Sequence, residues 1–431
     1  MLHNILNITA AKSYVPYQDL ENKQMLLGIL TEPGEFVNHI RRYTNFLTTQ
    51  MVLGFRTTSI HDPKLQQLFD GFEKFCEASS AGTAALVDFY PLLRSLPDLF
   101  LPLRSHAKKL HEKERELYIG HWLDVKKRIK DGTAKNYSTY HLLTPKKPCF
   151  CVDLVAAQDQ EGFSDALAGY IAGSFLEAGS DTTAATLVGF VQAMILYPDA
   201  QQRAQKEIDM VVGSGRLPTM EDETNLQFTR ACVKESLRWM PTSILGVPHA
   251  VTQDDEYMGY TIPKGATVIN NVWAIHHDPN RYENPYKFDP NRFIHDLQIA
   301  GEAAKNSDAS KRDRYVFGAG RRVCQGLHIA ERSLFLAMSR MLWAFNFKAP
   351  LDASGQKVLP DASKLTQGLF VMPERFEAVI TPRSEKRAAM VQHEWEECRT
   401  LLDQNLQWKQ VPDGMKFSVY QHTQDNTVDV Q

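Results

Sequence analysis

The chain has 431 residues, 43% hydrophobic and 23% charged, a globular composition that excludes a disordered chain, a collagen-like repeat or a disulfide scaffold. Lys and Arg number 48 against 51 Asp and Glu, a net charge of −3, so no basic excess exists to neutralise phosphates and nucleic acid is not expected as a ligand. Six cysteines in so long a chain make no disulfide framework and point to a reducing compartment.

The opening residues, Met1-Leu2-His3-Asn4-Ile5-Leu6-Asn7, lack the basic stretch and apolar core of a signal peptide. Residues 1–130 read as helices. Met25 to Leu30 and Phe36, Ile40, Tyr43, Phe46 and Leu47 are helically spaced, and Arg104 to Lys130 reads as a solvated charged helix. Residues 131–147 read as a polar loop. The sequons Asn7-Ile8-Thr9 and Asn136-Tyr137-Ser138 stand without any mark of secretion, and Cys149-Phe150-Cys151 is too tight and isolated for a zinc site. A long helix begins at the N-cap Ser164 and runs to Tyr197, where Pro198 stops it. At about 1.5 Å per residue it spans roughly 50 Å, the width of a domain. It is apolar on most faces, but Glu177, Ser180, Asp181, Thr182 and Thr183 interrupt it, and a membrane span needs about 20 apolar residues. It is expected to cross the core.

A second helix runs from about Phe228 to Met240, closed by Pro241. Short β-prone pieces follow at Val247 to Val251, Glu256 to Ile262 and Ala266 to Asn270. Residues 276–320 carry much Pro, Asn, Asp and Gly and read as a long irregular segment, which inside a compact domain is usually functional. A third helix follows Gly326, and Val391, Trp395, Cys398 and Leu402 form a stripe expected to dock a surface helix. The chain is thus mainly helical with a little sheet.

Three places carry polar chemistry. Cys324 lies in Phe317-Gly318-Ala319-Gly320-Arg321-Arg322-Val323-Cys324-Gln325-Gly326. The glycines permit close approach to a flat ligand, and the arginines and the following helix start favour a thiolate. Glu235-Ser236-Leu237-Arg238 on its own is an ordinary helical ion pair. Ala178-Gly179-Ser180-Asp181-Thr182-Thr183 is a polar cluster inside an apolar helix, which on its own reads as a kink with Thr back-bonding.

The order Phe-x-x-Gly-x-Arg-x-Cys-x-Gly, met at Phe317, Gly320, Arg322, Cys324 and Gly326, resembles the haem-binding signature of the cytochrome P450 haem-thiolate monooxygenases. The family also has Glu-x-x-Arg, a Phe-x-Pro-x-Arg-Phe stretch matched by Phe288 to Phe293, and Ala-Gly-x-Asp-Thr-Thr. The style of Trp273-Ala274-Ile275-His276-His277-Asp278-Pro279 resembles fungal microsomal members of secondary metabolism.

The resemblance implies a mainly α cytochrome P450 fold with small β-sheets: residues 1–384 as a haem domain, and residues 385–431 as a polar tail with a short amphipathic helix. The chain starts after the family's anchor, early sheet and propionate-binding helix, so the haem domain is expected to be N-terminally incomplete, with its distal pocket lacking a wall. Cys324 would ligate the iron of haem b, held in the frame of Phe317, Gly320 and Gly326. Arg322 and His249 would contact propionates. Glu235, Arg238 and Arg292 would form a buried structural lock. Gly179 would leave room for dioxygen, and Asp181 and Thr182 would deliver protons. Phe175, Ala178, Ile244, Leu245, Leu369 and Phe370 would contact an apolar small-molecule substrate.

The implied reaction inserts one oxygen atom into a C–H bond, with electrons from NADPH through a cytochrome P450 reductase. The reductase's acidic face would meet Lys311, Arg312, Arg314 and Arg321. The expected site is the cytosolic face of the endoplasmic reticulum membrane, with only peripheral membrane association in this chain. Two rival readings are a haem-thiolate isomerase or dehydratase, against which Asp181-Thr182 argues, and a truncated non-catalytic haem-binding fragment.

Overall fold

The computed structural model describes residues 6, 8–78, 90–97, 100–131, 149–308, 312, 315–410 and 412. Helices α1 (Ile8–Ser13), α2 (Val15–Thr31) and α3 (Phe36–Leu53) open the chain, and α3 ends on Gly54 in the left-handed conformation that its C-cap requires (φ 74°). Next come α4 (Pro63–Ala78), α5 (Pro102–Lys130) and α6 (Phe150–Glu161). Helix α5 is more than the solvated helix its charges suggest. Leu117, Tyr118, Trp122 and Val125 form a buried face on it.

Helix α7 spans Asp165–Leu196, and its N-cap Ser164 accepts a hydrogen bond from the Leu167 N–H at 3.2 Å. Ser164→Ala is expected to cost about 1 kcal/mol, read as a lower urea midpoint at unchanged slope. Pro198 ends α7 and also opens α8 (Pro198–Val211), a helix not read from the sequence. Proline suits a first helical turn because its missing N–H would have no partner there anyway.

After α9 (Gln227–Trp239) come strands β1 (His249–Ala250), β2 (Asp255–Tyr257), β3 (Tyr260–Ile262) and β4 (Thr267–Val268). β1 pairs with β4, and β2 with β3, both antiparallel. The stretch read as one β piece from Glu256 to Ile262 is therefore a hairpin, turning at Met258 and Gly259 with φ of 52° and 81°. Helix α10 (Val272–His276) leads into the irregular segment, whose described residues hold only α11 (Ala300–Lys305) and short 3-10 turns. Helix α12 (Leu327–Ala344) runs directly into β5 (Phe345–Lys348), which pairs with β6 (Val379–Pro382), a sheet that sequence reading missed. Helix α13 (Glu385–Arg399) is the last among the described residues.

Helix α7 joins two apolar cores. Its second half, from Ala184 to Ile195, packs with α2, α3, α9 and α12. Its first half, from Ala168 to Leu176, packs with α5, α6 and the docked α13. Val391, Trp395 and Cys398 of α13 are buried. Glu394 pairs with Lys23 of α2 at 2.7 Å, the Trp408 ring lies 5.1 Å from that of Tyr17, and Gln407 exchanges two 2.8 Å hydrogen bonds with the Arg56 backbone. Among the described residues no helix is long and apolar enough to cross a membrane.

Candidate active site

The cysteine loop is built from two 3-10 turns, Tyr315–Phe317 and Gly320–Arg322. Gly318 and Gly320 take φ of 76° and 64°, which a side chain would strain. The Cys324 N–H donates to Phe317 O at 2.7 Å, closing the loop on itself, and the Phe317 ring packs against the core. The N–H groups of Gly326 and Leu327, at the start of α12, donate to the Cys324 sulfur. The loop desolvates that sulfur and so raises its pKa, while these two donors pull it back toward the thiolate.

Cys324 is nonetheless exposed as a residue, whereas Cys76, Cys149, Cys151, Cys232 and Cys398 are buried. Among the described residues no group of three or more His, Cys, Asp or Glu side chains could hold a metal by itself. An iron at Cys324 would therefore take its other ligands from a prosthetic ring. A sulfur presented on a rigid glycine loop, with exposed Arg321 and Arg322 beside it, fits haem.

The i, i+3 spacing on α9 puts Glu235 and Arg238 side by side. Arg238 Nε and a terminal nitrogen donate to the two Glu235 oxygens, each at 2.7 Å, and both side chains are fully buried. Arg238 also donates to the carbonyls of His276, Pro285 and Lys287, and the Asp289 N–H donates to Glu235 at 2.7 Å. Arg292 Nε lies 3.5 Å from Glu235. The structure thus brings Glu235, Arg238 and Arg292 together, and they pin the irregular segment to α9.

On α7, the Thr182 hydroxyl donates to Ala178 O at 2.7 Å. Asp181 reaches Arg41 of α3 at 3.8 Å, and its Oδ1 is buried without a hydrogen-bond partner. Burial pushes the Asp181 carboxyl up, against the pull of Arg41. Asp181 lines a cavity of about 350 Å³ together with Arg41, Phe69, Phe72, Cys76 and Phe370. Phe370 stacks on Phe72 of α4 at 5.7 Å, and Gly368 (φ 139°) lies so close to α4 that a Cβ would come 2.7 Å from that of Cys76.

Other candidates stand elsewhere. Gly179 faces α3, where a Cβ would meet Thr48 Oγ1 at 2.7 Å, so close helix packing already accounts for this glycine. Phe175 packs on Phe150 of α6 at 5.2 Å and does not line the Asp181 cavity. Ala178 and Leu245 are exposed, Ile244 and Leu369 half-buried, and none of them lines that cavity. His249 is exposed on β1, its Nδ1 2.7 Å from Val247 O. Arg312 and Arg321 are described, whereas Lys311, Arg314, Asn7 and the sequon at 136–138 lie outside the described residues. Sequence reasoning missed Arg41, Phe69, Phe72 and Cys76. Leu65, Leu68, Phe69, Phe72 and Cys76 form a helical stripe that signals burial, but nothing in that stripe signals a cavity.

Comparison with known proteins agrees with this arrangement. A profile described as Cytochrome P450 matches residues 16–377. The chain is 52% identical over 422 residues to the cytochrome P450 monooxygenase fsoB of Humicola fuscoatra, covering 97% of this chain and 76% of that protein. It is 48% identical over 431 residues to the cytochrome P450 monooxygenase virE of Hypocrea virens, covering 100% of this chain and 76% of that one. A zebra fish cytochrome P450 solved with progesterone superposes with a TM-score of 0.64 at 26% identity, over 89% of this chain and 82% of its own. With the cysteine loop, the helical architecture and these relatives in agreement, the chain belongs to the cytochrome P450 family of haem-dependent monooxygenases, which draw their electrons from a redox partner.

Proposed function

We propose that this monooxygenase oxidises an apolar small molecule in fungal secondary metabolism, with the Cys324 thiolate as axial iron ligand and NADPH as the electron source. The observation that carries this reading is the Cys324 sulfur, presented on an exposed glycine loop and addressed by the N–H groups of Gly326 and Leu327. When bound, haem b activates dioxygen for insertion of one atom into a C–H bond, the other leaving as water.

The chain's own groups do the rest. The loop of Phe317, Gly320 and Gly326 would hold the haem, and Arg322 and His249 would neutralise its propionates. Burial raises the proton affinity of Asp181, which hands protons to Thr182, whose hydroxyl must leave Ala178 O to pass them on. Phe370, with Phe69 and Phe72, orients the apolar substrate and excludes water from that side. Arg312 and Arg321, with Lys311 and Arg314, offer the reductase a basic face. Residues 1–384 form the haem-carrying unit, and 385–431 an appendage whose helix braces it. The working site is the cytosolic face of the endoplasmic reticulum membrane.

The test is the absorption spectrum of the reduced, CO-bound, haem-loaded protein. Cys324→Ala is expected to abolish the thiolate signature that the unaltered chain shows. A haem-loaded variant with an unchanged spectrum would overturn the assignment.

A further inference from the structure

Helices α5 and α7 pack along their lengths, and beside the apolar contacts of Leu117, Trp122, Ala168 and Leu176 one edge of the seam carries a polar row. Tyr170, Gly173, Glu177 and Asp181 lie on one face of α7, since eleven residues at about 100° each return to within roughly 20° of the start. His111, Glu114 and Tyr118 form the facing row on α5 at i, i+3 and i+7. Gly173 leaves the room this needs, because a Cβ there would fall 2.2 Å from the Tyr118 ring.

At the outer end, exposed His111 stacks on Tyr170 at 5.6 Å, with Nδ1 2.8 Å from the Tyr170 hydroxyl. The Tyr170 ring meets the Tyr118 ring edge-on at 5.7 Å. Tyr118 is only 3% exposed, its buried hydroxyl is turned toward the Glu177 carboxyl, whose charged form it favours, and Glu114 Oε1 is buried with no hydrogen-bond partner in the protein. Glu177 acts electrostatically on both Tyr118 and Glu114. Asp181 follows one turn further in, its own Oδ1 buried without a hydrogen bond and 3.8 Å from Arg41. Buried carboxyl oxygens without hydrogen bonds, at Glu114 and Asp181 on either side of the Tyr118 and Glu177 pair, are the partners that bridging waters take.

We propose that this seam is a proton wire, carrying protons from solvent at His111 through Tyr170, Glu114, Tyr118 and Glu177 to Asp181. It rests on the reading of Asp181 as a proton donor to the distal site. Each transfer is balanced: Glu177 gives its proton to the Asp181 carboxylate and regains one from the Tyr118 side. Each outer group is refilled by its neighbour, and His111 takes its proton from water. No electron moves.

The charged surroundings suit the task. Burial, then Glu177, raises Glu114 to about 7, and burial, with Asp181 adding to it, raises Glu177. Glu114 can therefore carry a proton at neutral pH, and Glu177 is shifted in the same direction, against the pull of the Tyr118 hydroxyl. Arg115 acts on Tyr170 from α5, Cys76 of α4 faces Asp181 and Glu177, and Glu73 of α4 and Arg41 of α3 act on Asp181.

Two measurements on the haem-loaded protein test this, with haem content confirming folded variants. In infrared titration of the resting protein, a protonated carboxyl band should disappear as pH rises through about 7, be absent in Glu114→Gln and shift in Glu177→Gln. A protein with no carboxyl titrating near neutrality overturns the wire. With reductase, NADPH and 7-ethoxycoumarin as probe, peroxide released per NADPH should rise severalfold in Asp181→Asn, Glu177→Gln and Tyr118→Phe, with Glu177→Asp restoring the unaltered ratio. If Asp181→Asn alone raises peroxide, the wire falls and the Asp181 reading stands. If Asp181→Asn leaves the ratio unchanged, the reading of Asp181 falls, and the wire's endpoint with it.

Discussion

Glu235→Ala is expected to yield little folded protein. The substitution leaves the Arg238 guanidinium, fully buried, facing only the carbonyls of His276, Pro285 and Lys287. It also removes the carboxylate that pairs with Arg292 at 3.5 Å and accepts from the Asp289 N–H. Removing one partner of a buried ion pair costs about 3–5 kcal/mol, against a total stability of roughly 5–15 kcal/mol. The loss falls on one junction, because the same carboxylate ties α9 to the irregular segment that precedes the cysteine loop. Soluble yield and the urea midpoint of whatever is recovered measure it. A midpoint equal to that of the unaltered chain would mean that backbone carbonyls alone suffice to hold Arg238.

Glu21→Ala should be comparably severe, at a site far from any motif. Glu21 is fully buried and accepts from Arg56 Nε at 2.5 Å and a terminal nitrogen at 3.0 Å. Arg42, also buried, has terminal nitrogens without hydrogen bonds and is held charged chiefly by Glu21. Burial has already pushed its pKa down to about 9, and Arg56 pushes the same way. Both guanidiniums lie against the Phe46 ring, at 4.7 and 5.7 Å. Without the carboxylate two cations would remain buried together, so a loss of about 3–5 kcal/mol is expected. A double-mutant cycle with Arg56→Met checks it. Removing both charges should recover much of what Glu21→Ala loses, and strictly additive losses would deny the coupling.

What could be read from the sequence was whatever chemistry fixes over a few residues. The frame around Cys324 is legible because left-handed glycines and a cysteine at the head of a helix must occur in a set order. The Ser164 cap and the length of α7 are legible because capping and periodicity are local. The pairing of Glu235 with Arg238 follows from i, i+3 spacing, although its burial does not. Contacts between elements were beyond reach. The stripe of Phe69, Phe72 and Cys76 announces a buried face without saying that a cavity lies beneath it. Phe175 and Asp181 sit six residues apart, about 120° round the helix, and α6 claims the Phe175 side. Gly179 fits its motif and an interhelical crossing equally well, and only the Thr48 contact discloses the second role. Polar pairs such as Arg41 with Asp181 join distant segments and leave no trace in spacing.

The docking of α13 on α2 has a consequence for how the molecule is made on the ribosome. Lys23 waits for Glu394, Tyr17 for Trp408, and the Arg56 backbone for Gln407. At about 5–20 residues per second, the first helices emerge on the order of tens of seconds before the segment that covers them. Throughout that interval the α13-facing side of α2, with Lys23 and the Tyr17 ring, lacks the cover of Glu394 and Trp408. Truncated nascent chains that stop before α13 should therefore stay protease-sensitive in α2 and bound to holdase chaperones, and release of the last residues should end both.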